Sequence, residues 1–320
     1  MKVSIAMATY NGAMHLEAQL DSIAAQSRLP DELIVCDDGS TDETIQLLES
    51  FAKRSPFKIR IIRNTVNLGY SRNFDKAICE CAGDVIFISD QDDVWLPCKI
   101  ECVLAEFNGD SRKFWVSIND QWITDANLKS CGETIFCNNR ALRLPESNLS
   151  SGSCSAISRA FAQLCFPSPV PEIAYDSWIH RVAVMLESRS IVDRPLQYYR
   201  RHGSNASNPL VLRNYHSKWI MLLREFGFLG MGVAHRRELE LLQAIEKVSN
   251  LAASDQLIPR SVAIKASSYT HDRGLLLCAR IKVNKLPRRK RLLAILSIRK
   301  SFAAHYKLMS MLKDILRASG

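Results

Sequence analysis

The chain has 320 residues, 47% of them hydrophobic and 23% charged, the balance of a soluble globular protein long enough for one domain with an appendage or for two. Its net charge of +9 is uneven: residues 1–210 carry 21 Lys/Arg against 26 Asp/Glu, whereas residues 211–320 carry 21 against 7. The front part is therefore excluded as a nucleic-acid-binding surface. No apolar run reaches the ~20 residues of a membrane span, since the best candidate, residues 219–233, is interrupted by Arg224-Glu225.

Met1-Lys2-Val3-Ser4-Ile5-Ala6 enters a strand directly, without the apolar core and cleavage site of a secretory leader. Short β-branched runs at Val3–Ala8, Leu33–Cys36, Ile59–Ile62 and Val85–Ser89 predict strands, and His15–Gln26, Thr41–Lys53 and Ser71–Cys81 predict helices between them. This alternation predicts an α/β fold with a mostly parallel open sheet and helices on both faces. Leu16, Leu20, Ile23 and Ala24 share one face of the first helix; Ser40 or Thr41 is the expected cap of the second. From about residue 111 to 200 the alternation weakens. Phe114–Ile118 reads as a strand, Pro167, Pro169 and Pro171 mark an irregular loop, Tyr175 to Met185 reads as a helix and Ile191–Tyr199 as a strand. The polar stretch Gly203–Asn208 divides the chain into 1–208 and a basic, mainly helical region, 209–320. Ten cysteines without a Cys-x-x-Cys pair read as scattered reduced thiols of a cytosolic protein.

A polar cluster follows each early strand: Thr9-Tyr10-Asn11, Asp37-Asp38-Gly39-Ser40, Asn64 to Gly69, and Asp90-Gln91-Asp92-Asp93. In open α/β sheets the carboxyl ends of strands form one ligand-binding edge, so the four clusters converge on one cleft. The last holds three carboxylates within four residues. As a turn it needs only water; as a site it calls for a cation, and paired carboxylates hold Mg²⁺ or Mn²⁺ while leaving positions for phosphate oxygens.

These clusters, with Asn67-Leu68-Gly69 followed by Arg72-Asn73, together resemble the N-terminal signature of family 2 inverting glycosyltransferases of the GT-A fold. The resemblance runs to Tyr175-Asp176-Ser177-Trp178 and Tyr199-Arg200-Arg201-His202-Gly203-Ser204-Asn205, matching the bacterial rhamnosyltransferase-like branch over roughly the first 205 residues. It implies a nucleoside-diphosphate sugar donor, UDP- or dTDP-linked, a saccharide or lipid-linked acceptor, a divalent metal (Mg²⁺ or Mn²⁺), and a part in cell-surface polysaccharide synthesis.

On that resemblance Asp90 takes the donor's ribose, Asp92 the metal, and His202 is a further metal or diphosphate ligand; Asp93 lies nearby without a role of its own. Asp38 could accept the N3–H of uracil or thymine, a donor cytosine lacks, or could cap the next helix. Thr9, Tyr10 and Asn11 border the same base and ribose, or form an ordinary strand-to-helix turn. Gly69 allows a close backbone approach or simply ends a loop, and Arg72 reaches a phosphate or forms a surface ion pair. Inversion needs a base opposite the leaving group; Asp176 occupies the matching position, with Trp178 as a sugar-stacking platform for the acceptor. One departure stands out: this branch often has His where Tyr175 stands.

In the tail, Lys285 to Arg291 followed by Leu292, Leu293, Leu296 and Phe302 could rest on an anionic bilayer, on the inner face of the cytoplasmic membrane, or form a packed helix with a solvated basic face. Two other enzyme classes fit less well. Asp37-Asp38-Gly39-Ser40 echoes the nucleophile loop of HAD-type phosphatases, but Cys36 stands where the first aspartate is required; a pyrophosphorylase would need a Gly-rich phosphate loop behind the first strand. A degenerate, non-catalytic binding domain would have lost Asp92 or Asp176, and both are present.

Overall fold

In the computed structural model, residues 1–108, 115–203, 205, 231–284, 286 and 288–301 are described. The early apolar runs form β1 (Val3–Thr9), β2 (Glu32–Asp37), β3 (Lys58–Arg63) and β4 (Val85–Ser89), separated by α1 (Ala13–Ala24), α2 (Thr44–Arg54) and α3 (Tyr70–Glu80). β1 and β4 bury every residue, as central strands covered on two faces must. β3 lies at the edge, where Lys58, Arg60 and Arg63 stay exposed and discourage pairing with another chain. The pairs β1–β2, β2–β3 and β1–β4 are parallel.

Beyond β4 the sheet becomes mixed. β5 (Val94–Trp95), β6 (Val116–Thr124), β7 (Ser130–Thr134), β8 (Ser155–Ser158) and β9 (Arg189–Arg200) complete the order β3-β2-β1-β4-β8-β6-β9-β5, with β7 beside β6. β8 is antiparallel to β4 and β6, whereas β9 is parallel to β6. α4 (Lys99–Asn108), α5 (Ile135–Ala141), α6 (Arg159–Cys165) and α7 (Tyr175–Met185) occupy the connections. The two-residue β5 follows the acidic loop and pairs antiparallel with the end of β9, Val94 opposite Tyr198 and Trp95 opposite Gln197. This register brings residues 90–93 against residues 200–202, more than a hundred positions later. Ile5, Met7, Leu16, Leu20, Val35, Phe51, Phe87 and Trp115 belong to the main buried core beneath the sheet and its helices.

Two local expectations change. α2 begins at Thr44, later than predicted, because Asp42 Oδ1 accepts both the amide and the hydroxyl of Thr44 (3.1 and 2.5 Å), while Ser40 Oγ accepts the Asn11 amide. The strand expected at 114–118 runs instead from Val116 to Thr124; Phe114 lies outside the described residues.

Contacts divide the chain into residues 1–213 and 214–320. The second unit holds α8 (Met231–Ser254), α9 (Arg260–Asn284) and α10 (Arg288–Ser301); α9 and α10 bury Leu276, Val283, Ile295 and Ile298 together, and Arg273 of α9 pairs with Glu238 of α8 at 2.8 Å. Among the described residues no helix is long and apolar enough to cross a membrane. Most of the expected boundary at 203–208, most of the run 219–233, and Lys285, Pro287 and Phe302 lie outside the described residues.

Candidate active site

All four early polar clusters lie at the carboxyl ends of β1 to β4. The first and last are joined by Gln91, whose Oε1 accepts the Tyr10 amide (2.9 Å) and whose Nε2 donates to the Tyr10 carbonyl (3.1 Å). Tyr10 itself is exposed, and Asn11 adopts φ 46° with its Oδ1 accepting the Thr41 amide (2.9 Å).

Within the acidic loop the three carboxylates live in different surroundings. Asp93 is fully buried; its Oδ2 accepts Gln197 Nε2 (2.7 Å) and its Oδ1 the Arg200 amide (3.3 Å), which ties the loop to β9. Burial, then the charge of Asp92, pushes its carboxyl up to about 7. Lys99, also fully buried, donates Nζ to the Ser153 carbonyl (2.7 Å) and to Gln197 Oε1, and sits 3.9 Å over the Trp95 ring. Burial lowers its amine to about 8. Asp93 thus has a defined place as a buried anchor, in a network with Gln197 and Lys99 that the sequence reading did not find.

Asp92 is partly exposed. Its Oδ2 lies 2.9 Å from His202 Nε2 and 3.4 Å from Asn205 Nδ2, and its carbonyl accepts Arg200 Nε (2.9 Å). The His202 ring in turn packs 4.8 Å from that of His15, a residue of α1 not singled out from the sequence. Burial, then the charges of Arg200 and His202, lowers the His15 pKa. Asp90 is held well above the usual carboxylate range by desolvation, then by Asp93, Asp92 and Asp176. Asp176, 86 positions later, thus lies within electrostatic reach of Asp90.

Asp176 lies in the first turn of α7, its Oδ1 accepting the Ser177 amide (2.6 Å), and burial raises its carboxyl above the ordinary range. Its backbone is fixed by α3: Ser71 Oγ accepts the Tyr175 amide (3.1 Å), Asp75 Oδ2 accepts the Ser168 amide (3.1 Å), and Arg72 Nη1 donates to the Ser168 carbonyl (3.2 Å). The buried Tyr175 ring stacks on Phe74 at 4.3 Å, and its hydroxyl fills the space beside Gly152, where a Cβ would meet it at 1.8 Å. Tyr175 is therefore a packing residue of this edge.

Three expectations are corrected. Trp178 is fully buried with Nε1 donating to the Cys165 carbonyl (2.8 Å), so no sugar can stack on it. Asp38 is buried and spent on the 64–69 loop: Oδ1 accepts the Leu68 amide (2.8 Å) and Asn64 Nδ2 (2.9 Å), and Oδ2 accepts the Gly69 amide (2.8 Å). It anchors a loop instead of presenting a carboxylate to a base, and it caps no helix. Thr9 is buried, donating Oγ1 to Asp37 Oδ2 (2.8 Å). Arg72, still partly exposed, pairs with Asp75 at 3.2 Å, one of its two expected roles. Gly69, at φ 80°, makes the turn into α3, a left-handed backbone position that favours glycine.

Residues 4–148 match the family model of Glycosyl transferase family 2. Over that stretch, just under half of the chain, the protein is similar to family 2 glycosyltransferases. Relatives include an uncharacterized glycosyltransferase, alr2836, of Nostoc sp. (27% identical; 64% of this chain and 66% of the relative) and the putative glycosyltransferase EpsE of Bacillus subtilis (34%; 32% and 37%). The dTDP-rhamnosyl transferase RfbG of Shigella flexneri is 37% identical over 30% of this chain and 34% of its own. The chain thus spans from about a third to just under two-thirds of these relatives' lengths. Among solved structures, S. aureus TarS 1–349 in complex with UDP superposes with a TM-score of 0.53 at 17% identity, over 87% of this chain and 90% of that one. It shares the fold, a mixed open sheet with helices followed by further helical structure.

Proposed function

We propose that the family 2 domain transfers a sugar, with inversion, from a UDP- or dTDP-sugar to a hydroxyl of a saccharide or lipid-linked acceptor, in cell-surface polysaccharide synthesis. The observation that carries this reading is the convergence of Asp90, Asp92 and His202 with Asp176, whose raised carboxyl suits a base. The likeness to a dTDP-rhamnosyl transferase supports a nucleoside-diphosphate donor.

In this reading Tyr10, Asn11 and Gly69, with the loop that Asp38 anchors, border the base and ribose, and Asp90 accepts from ribose hydroxyls. Asp92 and His202 face the diphosphate, and their carboxylate and imidazole donors fit Mg²⁺ or Mn²⁺. Among the described residues no group of three His, Cys, Asp or Glu side chains could hold a metal ion, so diphosphate oxygens and water would supply the remaining positions. A bound cation would stabilise charge on the departing nucleoside diphosphate. Asp176 takes the proton of the acceptor hydroxyl as it attacks the anomeric carbon from the face opposite the leaving group. The second unit, with Leu293 and Leu296 exposed on α10 in a basic segment, supports peripheral contact of residues 285–302 with an anionic membrane on its cytoplasmic side.

Mass spectrometry of the purified chain with UDP- and dTDP-sugars, with and without Mn²⁺, tests the donor. Asp92→Ala and Asp176→Ala are each expected to abolish transfer, and only Asp92→Ala to weaken metal-dependent nucleotide binding. Near-normal transfer by Asp176→Ala would remove the base assignment. Flotation on anionic liposomes tests the tail: a chain ending near residue 280 should lose it, and unchanged flotation would reject membrane contact.

A further inference from the structure

His15 was not expected at the site, yet its position is built by specific contacts. Gln91, the residue between Asp90 and Asp92, grips both polar groups of the Tyr10 backbone. Gly12 leaves the necessary room, since a Cβ there would sit 2.2 Å from Gln91 Oε1. The turn into α1 is thereby fastened to the acidic loop. The His15 amide donates to the Gly12 carbonyl (3.1 Å), which sets His15 in the first turn of α1. Its ring then lies 4.8 Å from that of His202, tilted by 44°, and within the electrostatic reach of Asp92 and Arg200.

Asp92 and Arg200 already have protein partners here: Asp92 Oδ2 faces His202, and Arg200 Nε and Nη1 donate to the carbonyls of Asp92 and Ala126. His15 differs. Among the described residues no hydrogen bond engages its imidazole, although the ring is only partly exposed. A partly buried imidazole packed on a second imidazole, within electrostatic reach of both Arg200 and Asp92, is matched chemically by a phosphate oxygen, because imidazole supplies an N–H donor and phosphate oxygens are strong acceptors.

We infer that His15 is a further ligand of the donor's diphosphate, donating an imidazole N–H to a phosphate oxygen beside His202. The inference rests on the reading of the chain as a nucleoside-diphosphate-sugar enzyme, and it adds a side chain from α1 to a site otherwise formed by the β4 loop and the end of β9. No covalent step is involved.

Calorimetric titration of the full chain with UDP and dTDP, and NMR titration with uridine and thymidine, separates phosphate from base contacts. His15→Ala is expected to weaken the better-binding diphosphate about tenfold, the scale of one hydrogen bond to a charged group, and to change binding of its nucleoside less than about twofold. His15→Gln, which keeps an N–H donor, should recover part of the loss, and the difference should persist with EDTA present. Equal losses for diphosphate and nucleoside, no loss for either, or a loss confined to metal-containing buffer would overturn the assignment. If the native chain binds neither UDP nor dTDP, the donor reading falls and this inference with it; if the native chain binds and His15→Ala binds equally well, only this inference fails. Circular dichroism of both variants confirms that α1 still forms.

Discussion

Asp37-Asp38 after β2 and Asp90-Gln91-Asp92-Asp93 after β4 look alike as letters and differ in their supply of donors. Asp37 accepts from the Gly39 and Ser40 amides and from the Thr9 and Ser40 hydroxyls, and Asp38 from two amides and Asn64. The β4 loop gathers its carboxylates against one another instead, and burial with mutual repulsion raises Asp90 and Asp93. Carboxylates that share out separate donors build a loop; carboxylates crowded against one another are ready for a substrate or a cation.

Three experiments can break or sharpen this contrast. Asp176, raised by burial, belongs with the raised carboxylates, and Asp176→Asn should reduce transfer by about 10²–10⁴-fold. In the proposed role the ionised form is the base, so the native rate should rise with pH through a carboxyl pKa above the ordinary value and then level off. The variant should lose that limb of the kcat/KM profile. Next in size, Asp38→Ala should lower stability by about 3 kcal/mol in urea unfolding, since it leaves the Leu68 and Gly69 amides and Asn64 without their acceptor. An unchanged midpoint would mean that the loop stands without it. Smallest is Asp90→Asn, expected to hold or raise stability by about 1 kcal/mol, because one of several mutually repelling carboxylates is neutralised. Destabilisation comparable with Asp38→Ala would erase the distinction between the two loops.

The first half of the fold was legible in the sequence because β1 to β4 are short apolar, β-branched runs, α1 to α3 carry period-3.6 signals between them, and Tyr175–Met185 carries a complete helical one. β5, β7 and β8 were not, being two to five residues long and stabilised by their neighbours. Trp178 was misplaced for a geometrical reason: two positions along a helix turn a side chain by about 200°, so a residue that near Asp176 in sequence faces the core. Asp38 was misread because its donors come from residues 64–69, thirty positions away. Gln197 and Lys99 offer no local signal at all. A buried lysine beneath an acidic loop becomes visible only when β5 and β9 are laid side by side.

That two-residue pairing also sets an order of assembly. Asp92 leaves the ribosome about 110 residues ahead of His202 and Asn205, and Asp93 about a hundred ahead of Gln197. The parallel half of the sheet can close on contacts made within the first ninety residues, but the pairing of Asp92 with His202 cannot exist until β9 has been synthesised and docked. Long-range pairings of this kind form late in folding. A nascent or truncated chain ending before residue 190 would therefore have a sheet and an acidic loop, and no finished site to put to use.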